Sequence, residues 1–208
     1  RQLRLGVITG SDMERIITPK TLKPSAAQRD YVAELVAETL VGAPFDDAAG
    51  KWAERGMALE GEARAWYCLT HETVEEVGFI SRDDGRVGCS PDGIIEGKRG
   101  LEIKCPAAKT HVGYLLDPAS LVAAYRLQVQ TALWLTGWPV WDLMSYCPGL
   151  PELVINVLPD AEVFAALEAE VGVLTERTRQ AEQEANLLTG ALTDLDDRAL
   201  KYEAHLAA

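Results

Sequence analysis

A chain of 208 residues with 48% hydrophobic content is long enough to bury a sizeable core and short enough to form one domain. Its 32 acidic against 20 basic side chains leave a formal net charge of -12, which excludes a polybasic protein that holds nucleic acid by bulk electrostatics. No apolar run reaches the length of a bilayer span, and Arg1 to Arg4 are not followed by the apolar stretch of a signal peptide, so a soluble, cytoplasmic protein without a membrane partner is expected.

In chain order, Ser11 to Thr18 reads as a short helix opened by a serine cap. Ser25 to Leu40 reads as an amphipathic helix with Tyr31, Val32, Leu35, Val36 and Leu40 on its apolar stripe. A third helix runs from about Asp47 to Thr70. The apolar period then changes from helical to alternating, which predicts strands at Thr73 to Ser81, Arg86 to Ser90, Gly93 to Ile95 and Leu101 to Cys105. Helix returns from Pro118 to Leu135, followed by strands at Val140 to Tyr146 and Leu153 to Leu158, a long helix from Asp160 to Leu188, and a short one from Asp194 to Leu206. This order predicts an α/β (α+β) fold with a central mixed sheet flanked by helices, as a core over residues 1–158 and a helical segment over 160–208. From Asp160 onward there are eleven acidic and four basic residues, so the segment holds most of the negative charge and the core is less hostile to a polyanion than the total implies.

Cys68, Cys89, Cys105 and Cys147 stand far apart with no C-x-x-C pair, the pattern of buried reduced thiols; a four-cysteine iron–sulfur site would show a close pair. Trp134, Trp138 and Trp141 fall where a helix hands over to a strand and are read as core, while Trp52 and Trp66 share the third helix.

The chemistry concentrates between Gly88 and Pro106. In a strand, Leu101, Ile103 and Cys105 face one side and Glu102 and Lys104 the other, which sets a carboxylate beside an ammonium. Glu96 to Gly100 has the glycines of a tight hairpin connection. A turn centred on Gly97 sets Asp92 opposite Glu102; one centred on Lys98 sets Asp92 opposite Lys104 and diagonal to Glu102. Cross-strand neighbours lie roughly 5 to 8 Å apart at Cα, so in either register Asp92 and Glu102 reach a common magnesium at roughly 2.1 Å. The bland alternative is a solvated hairpin whose Glu102 and Lys104 are surface charges.

An Asp followed, after a spacer, by Glu-x-Lys in a strand resembles the PD-(D/E)xK nuclease superfamily, down to Pro91 before Asp92. Four ordered segments are similar to lambda exonuclease and the YqaJ-type phage recombination nucleases. These are Arg4 to Ser11, Gly56 to Arg64, the pair Cys89 to Gly93 with Leu101 to Pro106, and Tyr125 to Trp134. The resemblance implies a restriction-endonuclease-like core and a Mg2+-dependent exonuclease with two ions, Mn2+ being able to substitute. It assigns Asp92, Glu102 and the Ile103 carbonyl to the first ion and Glu60 to the second, with Lys104 orienting the attacking water. For Glu60 the competing role is an i,i+4 pair with Arg64; Glu62 lies about 200° further round the helix and is the poorer candidate. Gln128 and Tyr125 would approach the site from one helix face, although Tyr125 serves equally well as a core aromatic.

A pocket for a 5′-phosphate is implied at Arg4, Ser11 and Ser90, with helix capping as the alternative role of Ser11. The family's further pocket arginine has no arginine counterpart, since Lys109, Thr110 and His111 occupy that stretch. The resemblance further implies 5′-to-3′ action on double-stranded DNA ends, a ring-shaped homotrimer and a single-strand annealing protein as partner, for either of which the acidic C-terminal helices are placed. A structure- or site-specific endonuclease and a non-catalytic DNA-binding module remain the alternatives.

Overall fold

The structure, a computed structural model, describes residues 4–43, 51–96 and 98–206, with the side chains of 51–55, 57 and 191–206 outside the description. Its centre is a mixed sheet of β4 (Gly93–Ile95), β5 (Arg99–Lys104), β6 (Val140–Ser145) and β7 (Leu153–Val157) in that spatial order. β5 and β6 run parallel, which demands a long crossover, and the chain makes it through α3 (Ala108–Leu116) and α4 (Pro118–Thr136). The hairpin neighbours β4–β5 and β6–β7 are antiparallel. A smaller sheet joins β1 (Ile8–Thr9), β3 (Val87–Cys89) and β2 (Ile80–Ser81) beside it.

Parallel registration of β5 on β6 sorts the side chains by face. Glu102 and Lys104 lie on one face with Leu143 and Ser145; Leu101 and Ile103 lie on the other with Asp142 and Met144. α4 covers the first face, packing Leu121, Val129 and Leu133 on Trp141 and Leu143. α2 (Lys51–Thr70) covers the second, where Ala63 and Tyr67 meet Leu101, Ile103 and Met144. A third cluster joins Tyr31 and Leu35 of α1 (Gln28–Val41) to Val163, Leu167, Val171 and Leu174 of α5 (Ala161–Leu206). Gly100 has a steric reason: a Cβ there would sit 2.4 Å from three atoms of the Trp141 ring.

The fold class and central sheet agree with the sequence reading, while several elements differ. The first helix is a 3-10 turn, Gly10–Arg15, whose cap position is Thr9 with no side-chain cap bond, so Ser11 lies inside it and is not its cap. α2 is described from Lys51 onward, and the expected start at Asp47 lies outside the described residues. Of the strand expected at Thr73 to Ser81, only Ile80–Ser81 and an isolated Glu75↔Ile94 bridge form. α3 was not anticipated, and α4 is broken at Tyr125, where φ −120° and ψ 16° leave the helical region. The last two expected helices are one helix of 46 residues that runs straight through Gly190, whose cost of about 1 kcal/mol a long helix absorbs. Cys89 and Cys147 are buried as expected, Cys105 is half-buried and Cys68 is exposed, and none of the four is in a disulfide. Among the described residues no helix is long and apolar enough to cross a membrane.

Candidate active site

The hairpin register places the site. Gly93↔Leu101 and Ile95↔Arg99 pair directly, the Gly97-centred alternative, so Asp92 falls opposite Glu102. Gly97 itself lies outside the described residues. The ladder reaches Asp92, whose N–H donates to the Leu101 carbonyl at 3.0 Å, and then stops at Pro91, which has no N–H to offer. Instead the Ile103 N–H donates to Asp92 Oδ2 at 2.6 Å, so the carboxylate is fixed by the backbone of the strand it faces.

Glu102 is 5% exposed, and its Oε1 accepts from Lys104 Nζ at 2.7 Å and from Gln128 Nε2 at 2.7 Å. Lys104 Nζ also donates to Gln128 Oε1 at 3.0 Å, closing a ring of three side chains. The ammonium rests 4.6 Å from the centroid of the Tyr125 ring, which is half-buried and thus both packs on the core and touches the site. The break in α4 at Tyr125 lies one turn before Gln128, where the helix meets Lys104. Burial above all, then repulsion from Glu102, pushes the Asp92 carboxyl up to about 7. Burial also raises Glu102, against the pull of Lys104, and Glu60 adds repulsion to both.

Glu60 stands at the edge of this pair and accepts from Arg64 at 2.5 Å, the i,i+4 contact expected of the helix. Arg64 does more than that: its Nε donates to the Asp92 carbonyl at 2.8 Å and its other terminal nitrogen pairs with Glu76 at 2.8 Å. Glu62 instead accepts from the Tyr146 hydroxyl at 2.7 Å.

Glu60, Asp92, Glu102 and Gln128 line a cleft of 660 Å³ that Arg4, Ser11 and Ser90 also line. Arg4 donates to the Ser90 hydroxyl and lies over the Phe79 ring, while the Ser11 hydroxyl shares a 2.8 Å hydrogen bond with Thr9. A second cavity of 530 Å³, also bordered by Glu60, is lined by Ile103, Lys104, Pro106, Thr110 and Tyr125. Every residue to which the sequence reading gave a metal, catalytic or phosphate role therefore borders one of these two spaces. His111, by contrast, is fully buried between the Ser145 hydroxyl and the Pro151 carbonyl and belongs to the core. Sequence reasoning missed the bridging role of Arg64, and it missed Glu76 and Phe79 altogether. Arg64 stood in a recognised segment; the other two lie between helix and strand, and only tertiary structure brings them to the cleft.

The donor set suits a hard divalent cation. Among the described residues, hydrogen bonds to the pair use Asp92 Oδ2 and Glu102 Oε1, which leaves a second oxygen on each carboxylate for another ligand. Two mutually repelling carboxylates, Glu102 buried and Asp92 half-buried, gain from such an ion. Among the described residues no three acidic, histidine or cysteine side chains already converge on one point, and Glu60 is engaged by Arg64.

The family profile of the YqaJ-like viral recombinase domain matches residues 1–139, two thirds of the chain, including every residue that lines the cleft except Trp141. The chain belongs to the YqaJ-like viral recombinase family. Among solved structures, this YqaJ-like chain is similar to the alkaline exonuclease LHK-Exo from Laribacter hongkongensis, with 28% identity, a TM-score of 0.79, and coverage of 91% of this chain and 96% of the other. The LHK-Exo complex with dAMP matches alike, at 28% identity and TM-score 0.79 over 92% and 97% of the two chains. A phage-related exonuclease from Haemophilus somnus 129PT shares the fold at 15% identity and TM-score 0.69, over 86% and 96%. No curated protein sequence matches the chain. Family and neighbours together support a nuclease role for this YqaJ-like protein.

Proposed function

We propose that this protein is a metal-dependent 5′-to-3′ exonuclease that acts on double-stranded DNA ends and leaves 3′ single strands for recombination by single-strand annealing. The observation that carries the reading is the closed ring of Glu102, Lys104 and Gln128 beside Asp92, of which Asp92, Glu102 and Gln128 line the same cleft as Arg4, Ser11 and Ser90 while Lys104 lines the adjoining cavity. Asp92, Glu102 and the Ile103 carbonyl would hold one Mg2+ and Glu60 would help to hold a second, with Mn2+ able to replace either. When bound, such ions lower the barrier by activating water and neutralising the leaving oxygen.

The chain's own residues do the rest. Glu102 and Gln128 aim the Lys104 ammonium, and the Tyr125 ring supports it from below, so a fixed positive charge faces the attacked phosphate without reorganising. Arg4, Ser11 and Ser90 offer a guanidinium and two hydroxyls to a terminal 5′-phosphate. Placing that phosphate beside the ring would admit strand ends and set the direction of digestion. A homotrimer around the duplex and an annealing protein that receives the product strand complete the proposal; encirclement offsets the weak attraction of an acidic chain for DNA.

The test is a linear duplex with a 5′-phosphate on one strand, incubated with Mg2+ or with EDTA, beside Lys104→Ala. Mononucleotides should come from the 5′-phosphorylated strand, with metal and with Lys104 only. Cleavage of a covalently closed plasmid would favour an endonuclease, and binding without degradation would favour a non-catalytic module.

A further inference from the structure

Arg64 has three acceptors in three directions. Its Nε is tied to the carbonyl of Asp92, one terminal nitrogen to Glu60 in the cleft, and the other to Glu76 in the segment between α2 and β2. The Arg64 side chain is 15% exposed, Glu60 36% and Glu76 74%. The tie to a backbone carbonyl means that the guanidinium cannot follow Glu60 if that carboxylate swings toward a cation between itself and Asp92. Losing Glu60 would leave a largely buried charge short of its counter-ion, a strongly unfavourable outcome unless another carboxylate is in place. Glu76 is in place, at 2.8 Å.

We propose that Glu76 is a positioning residue: it retains Arg64 when Glu60 exchanges the guanidinium for a divalent cation, and so makes that exchange easier. The inference rests on the metal reading of Glu60 given above. It assigns a role to a side chain at the cleft's outer wall that touches neither substrate nor ion. A plain surface pair of this exposure contributes little to stability, so a merely structural Glu76 would leave cation binding unchanged.

The experiment is a Mn2+ titration by calorimetry, at physiological salt to screen long-range charge, on the full chain and on Glu76→Gln, Glu60→Gln and the double variant. Thermal unfolding of each confirms the fold. The unaltered protein should take two ions. Glu76→Gln should leave the tighter ion unchanged and weaken the second about fivefold, the size of one good ion pair at a partly exposed site. In the Glu60→Gln background, Glu76→Gln should add nothing. Equal second-ion affinity with and without Glu76, or a Glu76 effect that persists without Glu60, would overturn the proposal while leaving the two-ion reading intact. Absence of any second ion from the unaltered protein would instead remove the metal role of Glu60, and this inference with it.

Discussion

Strand β5 carries two charge clusters, each built round one buried carboxylate, one at each end and on opposite faces, and they differ in one respect that separates architecture from chemistry. At its start, Arg99 meets Glu72 at 2.5 Å and Asp142 at 3.3 Å. Asp142, 2% exposed, also accepts from Asn156 Nδ2 at 2.6 Å through Oδ1 and from the Tyr67 hydroxyl through Oδ2. Both of its oxygens are used. At the end of the strand, Glu102 is almost as buried, yet among the described residues its bonds fall on one oxygen and the other is left for the cleft beside it. A buried carboxylate is therefore no mark of function in itself; a spare oxygen beside open space is.

Breaking the two ends should have opposite signatures. Lys104→Ala is expected to lower the turnover of DNA ends by about a thousandfold, the order seen when one fixed donor facing transition-state charge is removed, while circular dichroism and melting stay near those of the unaltered protein. Asp142→Ala should do the reverse. It removes the buried acceptor of the Tyr67 hydroxyl and the Asn156 amide and leaves Arg99 with Glu72 as its carboxylate partner, at a cost of about 3 kcal/mol in denaturant unfolding, and the rate per folded molecule should hold. An Asp142 variant that folds normally but fails on DNA would break the comparison.

A smaller effect comes from a pair that belongs to neither cluster. Arg126 and Asp160 meet at 2.7 Å with both side chains about a third exposed, so about 0.5 kcal/mol is expected from them. The hydrogen bond from Arg126 holds the Asp160 carboxyl below the usual carboxylate range. A carboxyl depressed on folding stabilises above its unfolded value, and that stabilisation is lost as pH falls through the folded one. The melting-temperature gap between the unaltered protein and Arg126→Ala should thus be full above about pH 5 and close below about pH 4. A gap that widens in acid would contradict the assignment.

The site was more legible in sequence than the frame that holds it. Asp92, Glu102 and Lys104 are close in the chain, and the alternation of one strand fixes their common face, so local periodicity was sufficient. The second charged cluster was not seen, because Arg99 meets Glu72, Tyr67 and Asp142 only after β5 has paired with β6 and α2 has closed over it. Two hairpin registers were open on turn chemistry alone, and the direct Gly93↔Leu101 pairing selected one. α3 was hidden by Pro106 and Pro118 on either side and by Gly113 within, although a fully buried His111 anchors it. The break at Tyr125 left no trace, since the apolar pattern of α4 continues across it. Arg64 read as an ordinary helical ion pair because its other two partners come from distant segments.

Gly100 gives the site its zero mark. The indole of Trp141 occupies the volume where any other residue at that point of β5 would carry a Cβ, and the notch lies two residues before Glu102 on the same face. A slip of β5 along β6 by one residue would drive Arg99 or Leu101 into the ring, so the strand seats in one setting only. Alignment of the cleft's charges with their helix is thereby decided at an apolar contact outside it, as a detent on a dial fixes the position of a pointer it never touches.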